Sequence, residues 1–317
     1  MSLPSVVATT ICVLEDRCHI DHTLDARVLR EFKNKMKNGK RVKFSGKFKH
    51  VATISEDGAG KVLKHPNDVK ISNQLSMIII SDFLNDRILC FQLFSFHYLF
   101  SIPLNRPGRM DLNRNDDLII ASNSMKVCKI DLRNRNEIWS VERAGLAICG
   151  ISIEKKHSHR IFVCDASTRN PCIQIREQDG TFLSYFELSE LYHPFAIAFD
   201  PIFNQAFISC YYEHVIVVRS LDHDTNTKEL VGGYGEQVGQ LRQPRGILWD
   251  GTQLIVCDCT NCRIQLFSLD GHVIKSFGSK GSHQVDQFWY PASVCLNELN
   301  GELFVVDNTN HRILVYQ

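Results

Sequence analysis

Four residues near the amino terminus have side chains of the types that bind zinc. A structural zinc site usually takes its ligands from two short pairs that a longer loop separates. Here all four candidates lie within one stretch of 11 residues, which leaves little chain between two pairs: Cys12, Cys18, His19 and His22. The sequence therefore predicts no metal site here, and it predicts no cofactor elsewhere.

A second group of thiols, Cys257, Cys259 and Cys262, contains a Cys-x-x-Cys spacing. In a redox-active site this spacing opens a helix, whose amino terminus lowers the thiol pKa. The apolar residues on both sides instead predict two strands joined by a turn, so we expect these thiols to be structural. The chain also lacks the Gly-x-Ser-x-Gly, P-loop, His-Glu-x-x-His and Gly-x-Gly-x-x-Gly motifs. The sequence predicts no enzyme.

The formal net charge of +1 is unevenly distributed along the chain. Residues 1–50 contain 11 Lys and Arg against 5 Asp and Glu, whereas the remaining residues contain 25 against 30. A nucleic-acid-binding domain usually carries a basic field, and the main body of this chain has none on average. The charge balance therefore favours a protein or peptide ligand.

The sequence lacks the apolar segments that membrane insertion requires. No run approaches the ~18 apolar residues of a spanning helix. The apolar stretch at residues 3–14 is followed by Glu15, Asp16 and Arg17 rather than by a cleavage site. Cysteines lie in strand-like apolar runs rather than in the loops of a small secreted domain. We predict no membrane association and a reducing, cytoplasmic location.

An apolar run, a short polar turn and a second apolar run recur six times. The turns begin 40 to 49 residues apart, a spacing typical of four-stranded propeller blades, at Asp82, Ser122, Asp165, Cys210, Asp258 and Asp307. A proline precedes the first strand in five units and suits a strand's first position: Pro66, Pro107, Pro194, Pro244 and Pro291. The repeat predicts an all-β, six-bladed β-propeller.

The last unit ends at Gln317, directly after its third strand, and residues 48–60 match the missing fourth strand. Pairing this amino-terminal strand with the last blade would close the ring and remove two exposed sheet edges. We predict a propeller over 44–317, preceded by an extension over 1–43. Apolar residues at every fourth position predict a short basic helix within residues 23–38.

The strongest copies lie at residues 78–91, 254–267 and 303–316, each with Asp and Arg five positions apart. Their Pro…Asp-x-x-Asn-x-Arg-Ile pattern resembles the NHL repeat, as found in the NHL domain of tripartite-motif proteins, without an intact RING or B-box. The resemblance covers roughly 270 residues. In the weaker copies Ser122 and Cys210 replace the Asp, and the Arg position is assigned to Lys126, Cys172 and His214.

The resemblance also suggests an enzymatic alternative, because the peptide-amidating lyase is similar to NHL propellers and holds zinc in its channel through histidines. His65 and His193 occupy equivalent positions before a proline. The other equivalent positions hold Arg106, Gln243 and Tyr290, which leaves two histidines where catalytic zinc needs three ligands. Zinc-dependent lyase chemistry is therefore the least favoured alternative.

In a propeller, the loops that lead into each first strand and the turns between second and third strands lie on one face. Their arginines and aromatic residues are of the types that dominate binding hot spots. The residues predicted to bind are Lys64, Arg106, Tyr192, Arg242, Arg245, Trp289 and Tyr290 from the loops and strand starts, and Phe83, Arg169, Tyr211 and Tyr212 from the turns. We expect most of them to face solvent.

Together these patterns predict a non-enzymatic scaffold that binds a protein or peptide through this face. The resemblance implies one form of scaffold, the recognition of substrates within a ubiquitin-ligase-type assembly. It also implies an alternative ligand, single-stranded RNA, since arginines among aromatic rings suit base stacking.

Overall fold

The computed structural model describes residues 41–142, 144–156, 158–188, 192–221 and 227–317. These residues form six four-stranded antiparallel sheets arranged as the blades of a propeller, so the predicted fold class is confirmed. No helix in this part of the chain has the length and apolar character needed to cross a bilayer. The helix predicted within residues 23–38 lies outside the described residues, as do Cys12, Cys18, His19 and His22.

After β1 (His50–Ile54), blades 1 to 5 each use four consecutive strands, ordered from the channel outward. Blade 1 holds β2 (Pro66–Ser72), β3 (Met77–Asp82), β4 (Arg87–Gln92) and β5 (Tyr98–Pro103). Blade 2 holds β6 (Pro107–Leu112), β7 (Leu118–Ser122), β8 (Lys126–Asp131) and β9 (Asn136–Val141). Blade 3 holds β10 (Ile148–Ile153), β11 (Ile161–Asp165), β12 (Cys172–Arg176) and β13 (Phe182–Phe186).

Blade 4 holds β14 (Pro194–Asp200), β15 (Gln205–Cys210), β16 (Val215–Ser220) and β17 (Thr227–Gly232). Blade 5 holds β18 (Pro244–Trp249), β19 (Leu254–Asp258), β20 (Arg263–Phe267) and β21 (Val273–Phe277). The short parallel pair β22 (Ser279–Lys280) and β23 (Gln287–Phe288) connects it to the last blade. Blade 6 holds β24 (Pro291–Asn297), β25 (Glu302–Asp307) and β26 (Arg312–Tyr316).

The innermost strands form a closed ring around the channel, because β2, β6, β10, β14, β18 and β24 each contact the next and β24 contacts β2. Five of them begin at the predicted prolines, and the third begins at Ile148. The alternating apolar residues of these strands are buried between blades, as expected: Val69, Met110, Ile151, Ile197, Ile247 and Val294. Each core therefore joins two neighbouring blades, as Val69 does with Phe304 and Val306.

The amino-terminal strand completes blade 6, as predicted. β1 pairs antiparallel with β26, so that Thr53 lies opposite Leu314. Lys49 and Gln317 exchange two backbone hydrogen bonds of 3.0 and 2.8 Å just beyond it. Phe48 stacks on Phe277 with 4.1 Å between ring centroids. The first and last parts of the chain thus close the ring together.

In blades 1, 5 and 6, the repeated Asp and Arg tie the hairpin to the loop that leads into the blade. Asp258 is fully buried, and its carboxylate accepts hydrogen bonds from Nε of Arg263 at 2.6 Å and from the backbone N of Arg242 at 2.8 Å. Asp82 and Asp307 accept the equivalent pairs of bonds. The motif is therefore structural, since it satisfies backbone groups that the turn would otherwise leave unpaired.

The assignment of His214 to the arginine position is wrong by one residue. Cys210 lies opposite Val215 in the hairpin, as Asp82 lies opposite Arg87, so Val215 occupies that position. His214 occupies the position directly before the arginine position, where the backbone is left-handed (φ 63°). His311 occupies the same position in blade 6 (φ 58°).

The buried carboxylate of Asp116, in the turn between β6 and β7, makes the stability of the protein depend on pH. Asp116 is 7% exposed, and its Oδ2 is buried without a hydrogen-bond partner among the described residues. Burial raises the pKa of Asp116 to about 6. The folded state thus binds this proton more tightly than the unfolded state, so the group's contribution to stability falls as pH rises from about 4 to about 6.

We expect Asp116→Asn to remove that pH-dependent loss and to raise the free energy of unfolding at pH 7 by about 1–3 kcal/mol. Asparagine tolerates the left-handed backbone of this position (φ 57°). Urea unfolding of both proteins between pH 4 and pH 8 measures the difference. A difference in the free energy of unfolding between the two proteins that stays constant from pH 4 to pH 8 would contradict the raised pKa of Asp116.

Candidate binding face

The leading loops and the turns lie on one face, because a backbone hydrogen bond joins them in every blade. The bonds run from Leu84 to Lys64, Asn123 to Arg106, Ala166 to Ala147, Tyr211 to His193, Thr260 to Arg242 and Thr309 to Trp289. We call this surface the loop face; it comprises residues 64–65, 105–106, 146–147, 192–193, 242–243 and 289–290 of the loops and residues 83–86, 123–125, 166–170, 211–214, 259–262 and 308–311 of the turns.

The rim of the loop face carries exposed aromatic and basic side chains. Trp289 is 45% exposed, with the Lys280 ammonium 5.5 Å from its ring centroid, and Tyr212 is 50% exposed. Lys64, Arg106 and Arg169 are exposed and Phe83 is half-buried. These predicted residues are accessible but spread over several blades.

Tyr192 is an exception to the expectation of solvent exposure. Its side chain is 7% exposed and packs in the core cluster that contains Phe162, Ile197 and Ile208. The position two before the proline thus contributes a core residue in blade 4 and an exposed one, Trp289, in blade 6.

Arg242 is accessible but already paired. Its Nη1 donates to Glu236 at 2.7 Å, and its guanidinium lies 5.2 Å from the ring centroid of Tyr234. This arginine belongs to a local surface network beside the mouth of the channel.

The structure gathers three predicted residues at the mouth of the channel. The guanidinium of Arg245 lies 4.5 Å from the ring centroid of Tyr290 and 5.5 Å from that of Tyr211. The hydroxyl groups of the two tyrosines are 3.1 Å apart. Phe195, which the sequence did not single out, is a third ring at 5.0 Å from Arg245. We call Arg245 with these three rings the arginine cage.

Arg109 lies in the channel next to the arginine cage, and the sequence did not single it out. It is 4% exposed, and its guanidinium lies 5.3 Å from the same Phe195 ring. Its Nη2 donates to the carbonyl of Ala292 at 2.6 Å, which takes the side chain from blade 2 past blade 1 to blade 6. Asp68 is 3.9 Å from its Nη1. Arg109 thereby obstructs the channel behind the cage.

The pKa of Arg109 reflects this position. Burial lowers the pKa, Asp68 opposes that effect, and the nearby Arg245 lowers it further. Arginine nevertheless keeps its charge in proteins, so two positive groups share the channel mouth.

A cleft of about 750 Å³ opens at the edge of the loop face between blades 1 and 2. Its walls include Asp86, Asn105, Met125 and Lys126. Lys126 forms ion pairs with Glu137 at 3.3 Å and with a second glutamate at 3.2 Å. The cleft therefore combines charged groups with an apolar lining, and it adjoins the loop on which Arg106 lies.

The histidines considered for zinc make structural hydrogen bonds. The Nδ1 of His65 lies 3.1 Å from Oδ1 of Asn308, and the Nδ1 of His193 lies 2.6 Å from Oε1 of Glu213. Among the residues described, no three His, Cys, Asp or Glu side chains are grouped to hold a metal ion. Cys257, Cys259 and Cys262 are buried, and burial raises the pKa of the Cys259 thiol to about 12, which disfavours a reactive thiolate.

In blades 1, 4 and 6, a side-chain hydrogen bond joins the turn to the next blade. Nδ1 of His311 accepts a hydrogen bond from the backbone N of His65 at 3.0 Å, and Nδ1 of His214 accepts one from Gln243 at 2.9 Å. Oδ1 of Asp86 accepts the equivalent bond from Arg106 at 2.8 Å. The side chain before the arginine position therefore holds neighbouring blades together.

We expect His311→Ala to lower the free energy of unfolding by about 1–2 kcal/mol, because the backbone N–H of His65 loses its acceptor. Urea denaturation measures this loss. His272→Ala is the matched control, since the His272 side chain is 85% exposed, and it should leave stability unchanged. Equal stabilities for the two variants would contradict the role given to His311.

A ring of rigid blades with accessible side chains on one face defines a binding propeller. Residues 288–316, which span the last blade, match the model of the NHL repeat. This match and the six blades together support an NHL-repeat propeller, as the sequence pattern indicated. A search of the curated proteins finds no match to this chain.

Solved structures with similar folds come from proteins of diverse activity. An auxiliary nutrient binding protein from Bacteroides thetaiotaomicron is 15% identical, with a TM-score of 0.65 over 85% of this chain and 75% of its own. Kuenenia stuttgartiensis hydrazine synthase is 11% identical, with a TM-score of 0.60 over 83% and 97%. A streptogramin B lyase is 10% identical, with a TM-score of 0.60 over 84% and 97%. At these identities the likeness concerns the fold alone.

Proposed function

We propose that the protein is a non-enzymatic scaffold whose loop face binds a protein or peptide. The observation that carries the proposal is the arginine cage at the centre of the loop face, with Tyr212 and Trp289 exposed beside it. Aromatic residues and arginine at the centre of a rigid surface are typical of binding hot spots. Two proteins of similar fold are named as auxiliary nutrient binding proteins, which is compatible with a binding role.

The scaffold would present a bound substrate to a ubiquitin-ligase-type assembly, as the resemblance to tripartite-motif proteins suggests. It would act in the cytoplasm, because the cysteines of the described residues are free rather than paired in disulfides.

The enzymatic alternative receives little support from the side chains. The lyase reading needs histidines free to bind zinc, whereas His65 and His193 are engaged by Asn308 and Glu213. Two structural relatives are enzymes by name, but their chemistry does not transfer at 10 and 11% identity.

Affinity capture with three versions of the full chain tests the proposal. The first is the wild type, the second is Tyr212→Ala with Trp289→Ala, and the third is a control on the opposite face, Ile202→Ala with Phe203→Ala. The control pair is 71 and 62% exposed, so both variants remove two large exposed side chains. Quantitative mass spectrometry compares the proteins that each version retains, with and without nuclease treatment.

We expect proteins retained by the wild type to be lost from the loop-face variant and kept by the control. Nuclease should not change the result. If nuclease treatment abolishes retention, the ligand is RNA rather than protein. Equal retention by the loop-face variant and the wild type would contradict the proposal.

A further inference from the structure

The two arginines at the channel mouth have hydrogen-bonding capacity that the fold does not use. The Nε atoms of Arg245 and Arg109 are both buried, and neither has a hydrogen-bond partner among the residues described. No carboxylate in the described parts of the chain forms an ion pair with Arg245. A buried donor without a partner costs free energy, and a ligand that accepts a hydrogen bond from it would remove that cost.

The surroundings of Arg245 do not neutralise it. Tyr290 and Cys259 are close, but burial raises the pKa of each to about 12, so both are uncharged at neutral pH. Phe195 and Tyr290 approach the guanidinium with their rings, and Tyr211 adds a side-chain hydrogen bond to its ring contact. The guanidinium is thus held in position by rings rather than by an anion.

The channel carboxylate nearest to Arg109 is already occupied. Asp68 accepts hydrogen bonds from the hydroxyl of Ser293 at 2.6 Å and from the backbone N of Met110 at 3.0 Å. Its Oδ1 also lies 3.4 Å from the ammonium of Lys70. Because Asp68 is already engaged, the positive charges of Arg109 and Arg245 make the mouth of the channel attractive to anions.

We propose that the arginine cage binds a carboxylate of the peptide that the loop face recruits, an inference that rests on the proposed function. Arg245 would donate to the two oxygens, and Arg109 would add positive charge behind it. A guanidinium and a carboxylate are both planar and match through parallel hydrogen bonds. Three rings around Arg245 fix its plane in advance, which reduces the entropy lost on binding.

The carboxylate could come from the carboxyl terminus of the peptide or from an Asp or Glu side chain. Three matched libraries of random synthetic octapeptides separate these sources. The first has acidic residues and free carboxyl termini, the second has acidic residues and amidated termini, and the third is amidated with Asn and Gln in place of Asp and Glu. Immobilised full-length protein is incubated with each library, and mass spectrometry quantifies the retained peptides.

Three variants localise the effect. Arg245→Gln removes the cage cation, and Arg133→Gln makes the same change at an arginine outside the loop face that Asp131 already pairs. Arg245→Lys is the third variant, which keeps the charge but loses the planar fork. Thermal melting of all variants shows which are folded, and the comparison of libraries on the wild type needs no variant.

We expect the wild type to retain acid-bearing peptides at least about tenfold more than the third library, since a charge-assisted bond contributes more than 1.4 kcal/mol. Preference for the first library alone assigns the carboxyl terminus, and equal retention of the first two assigns side chains. Arg245→Gln should abolish the preference, Arg245→Lys should weaken it, and Arg133→Gln should keep it.

Equal retention of all three libraries by the wild type would overturn the carboxylate site while leaving peptide binding by the loop face intact. An equal loss in Arg133→Gln and Arg245→Gln would also overturn it, because general surface charge would then explain the preference. Retention of no library would contradict both the site and peptide binding itself.

Discussion

Replacing Arg263 by methionine is expected to lower the free energy of unfolding by about 3–5 kcal/mol. The Arg263 side chain donates to Asp258, to the carbonyl of Glu236 at 2.9 Å and to the carbonyls of Gln237 and Gln240 at 2.8 and 2.9 Å. Asp258 is fully buried, and burial already raises its pKa against the effect of these bonds. Without Arg263, the carboxylate is left buried without its ion-pair partner.

Urea denaturation measures this loss, and two further proteins control it. Arg133→Met removes a surface ion pair, since the Arg133 side chain is 39% exposed and lies 3.9 Å from Asp131, so it should cost less than about 1 kcal/mol. Asp258→Asn combined with Arg263→Met removes both charges and should be more stable than Arg263→Met alone. A cost below about 1 kcal/mol for Arg263→Met would contradict the structural role of the repeated Asp and Arg.

Removal of residues 1–54 is expected to abolish the folded monomer. It deletes β1, leaving the outer edge of β26 unpaired, and it deletes Phe48, which covers Phe277 and Tyr316. An exposed apolar edge strand invites association with other chains. Size-exclusion chromatography and circular dichroism should therefore show aggregated or unfolded protein.

Removal of residues 1–40 is the matched control. It keeps β1, Phe48, the backbone hydrogen bond of 2.7 Å from Val42 to Glu298 and the core residue Phe44. This shorter truncation should stay folded and monomeric. A folded monomer after removal of residues 1–54 would show that β1 does not close the ring.

The repeat determined the fold because its signals are local. Each proline, apolar pair and Asp-to-Arg hairpin specifies one blade, and the missing fourth strand of the last unit specifies the closure. His214 shows the limit of prediction from local signals. Val215 pairs within its own hairpin, whereas His214, one residue earlier, hydrogen-bonds to the next blade.

The site was less predictable because it depends on contacts between blades. The loop positions identified Trp289 correctly as exposed but gave no indication that Tyr192 is buried in a core or that Tyr290 packs half-buried against Arg245. Arg109 was missed because the pairing of β6 with β7 shifts between Pro107 and Met110. Such a bulge changes which side chains face the channel, and strict alternation does not reveal it.

Hydrogen–deuterium exchange of the protein with and without a captured partner tests the binding role of the loop face most directly. We predict that the partner protects residues 192–195, 211–214, 242–245 and 289–290, which form the arginine cage and the loops around it. The turns on the opposite face, at residues 201–204, 250–253 and 298–301, should exchange equally in both samples. Protection of those turns with no change around Arg245 would contradict the account.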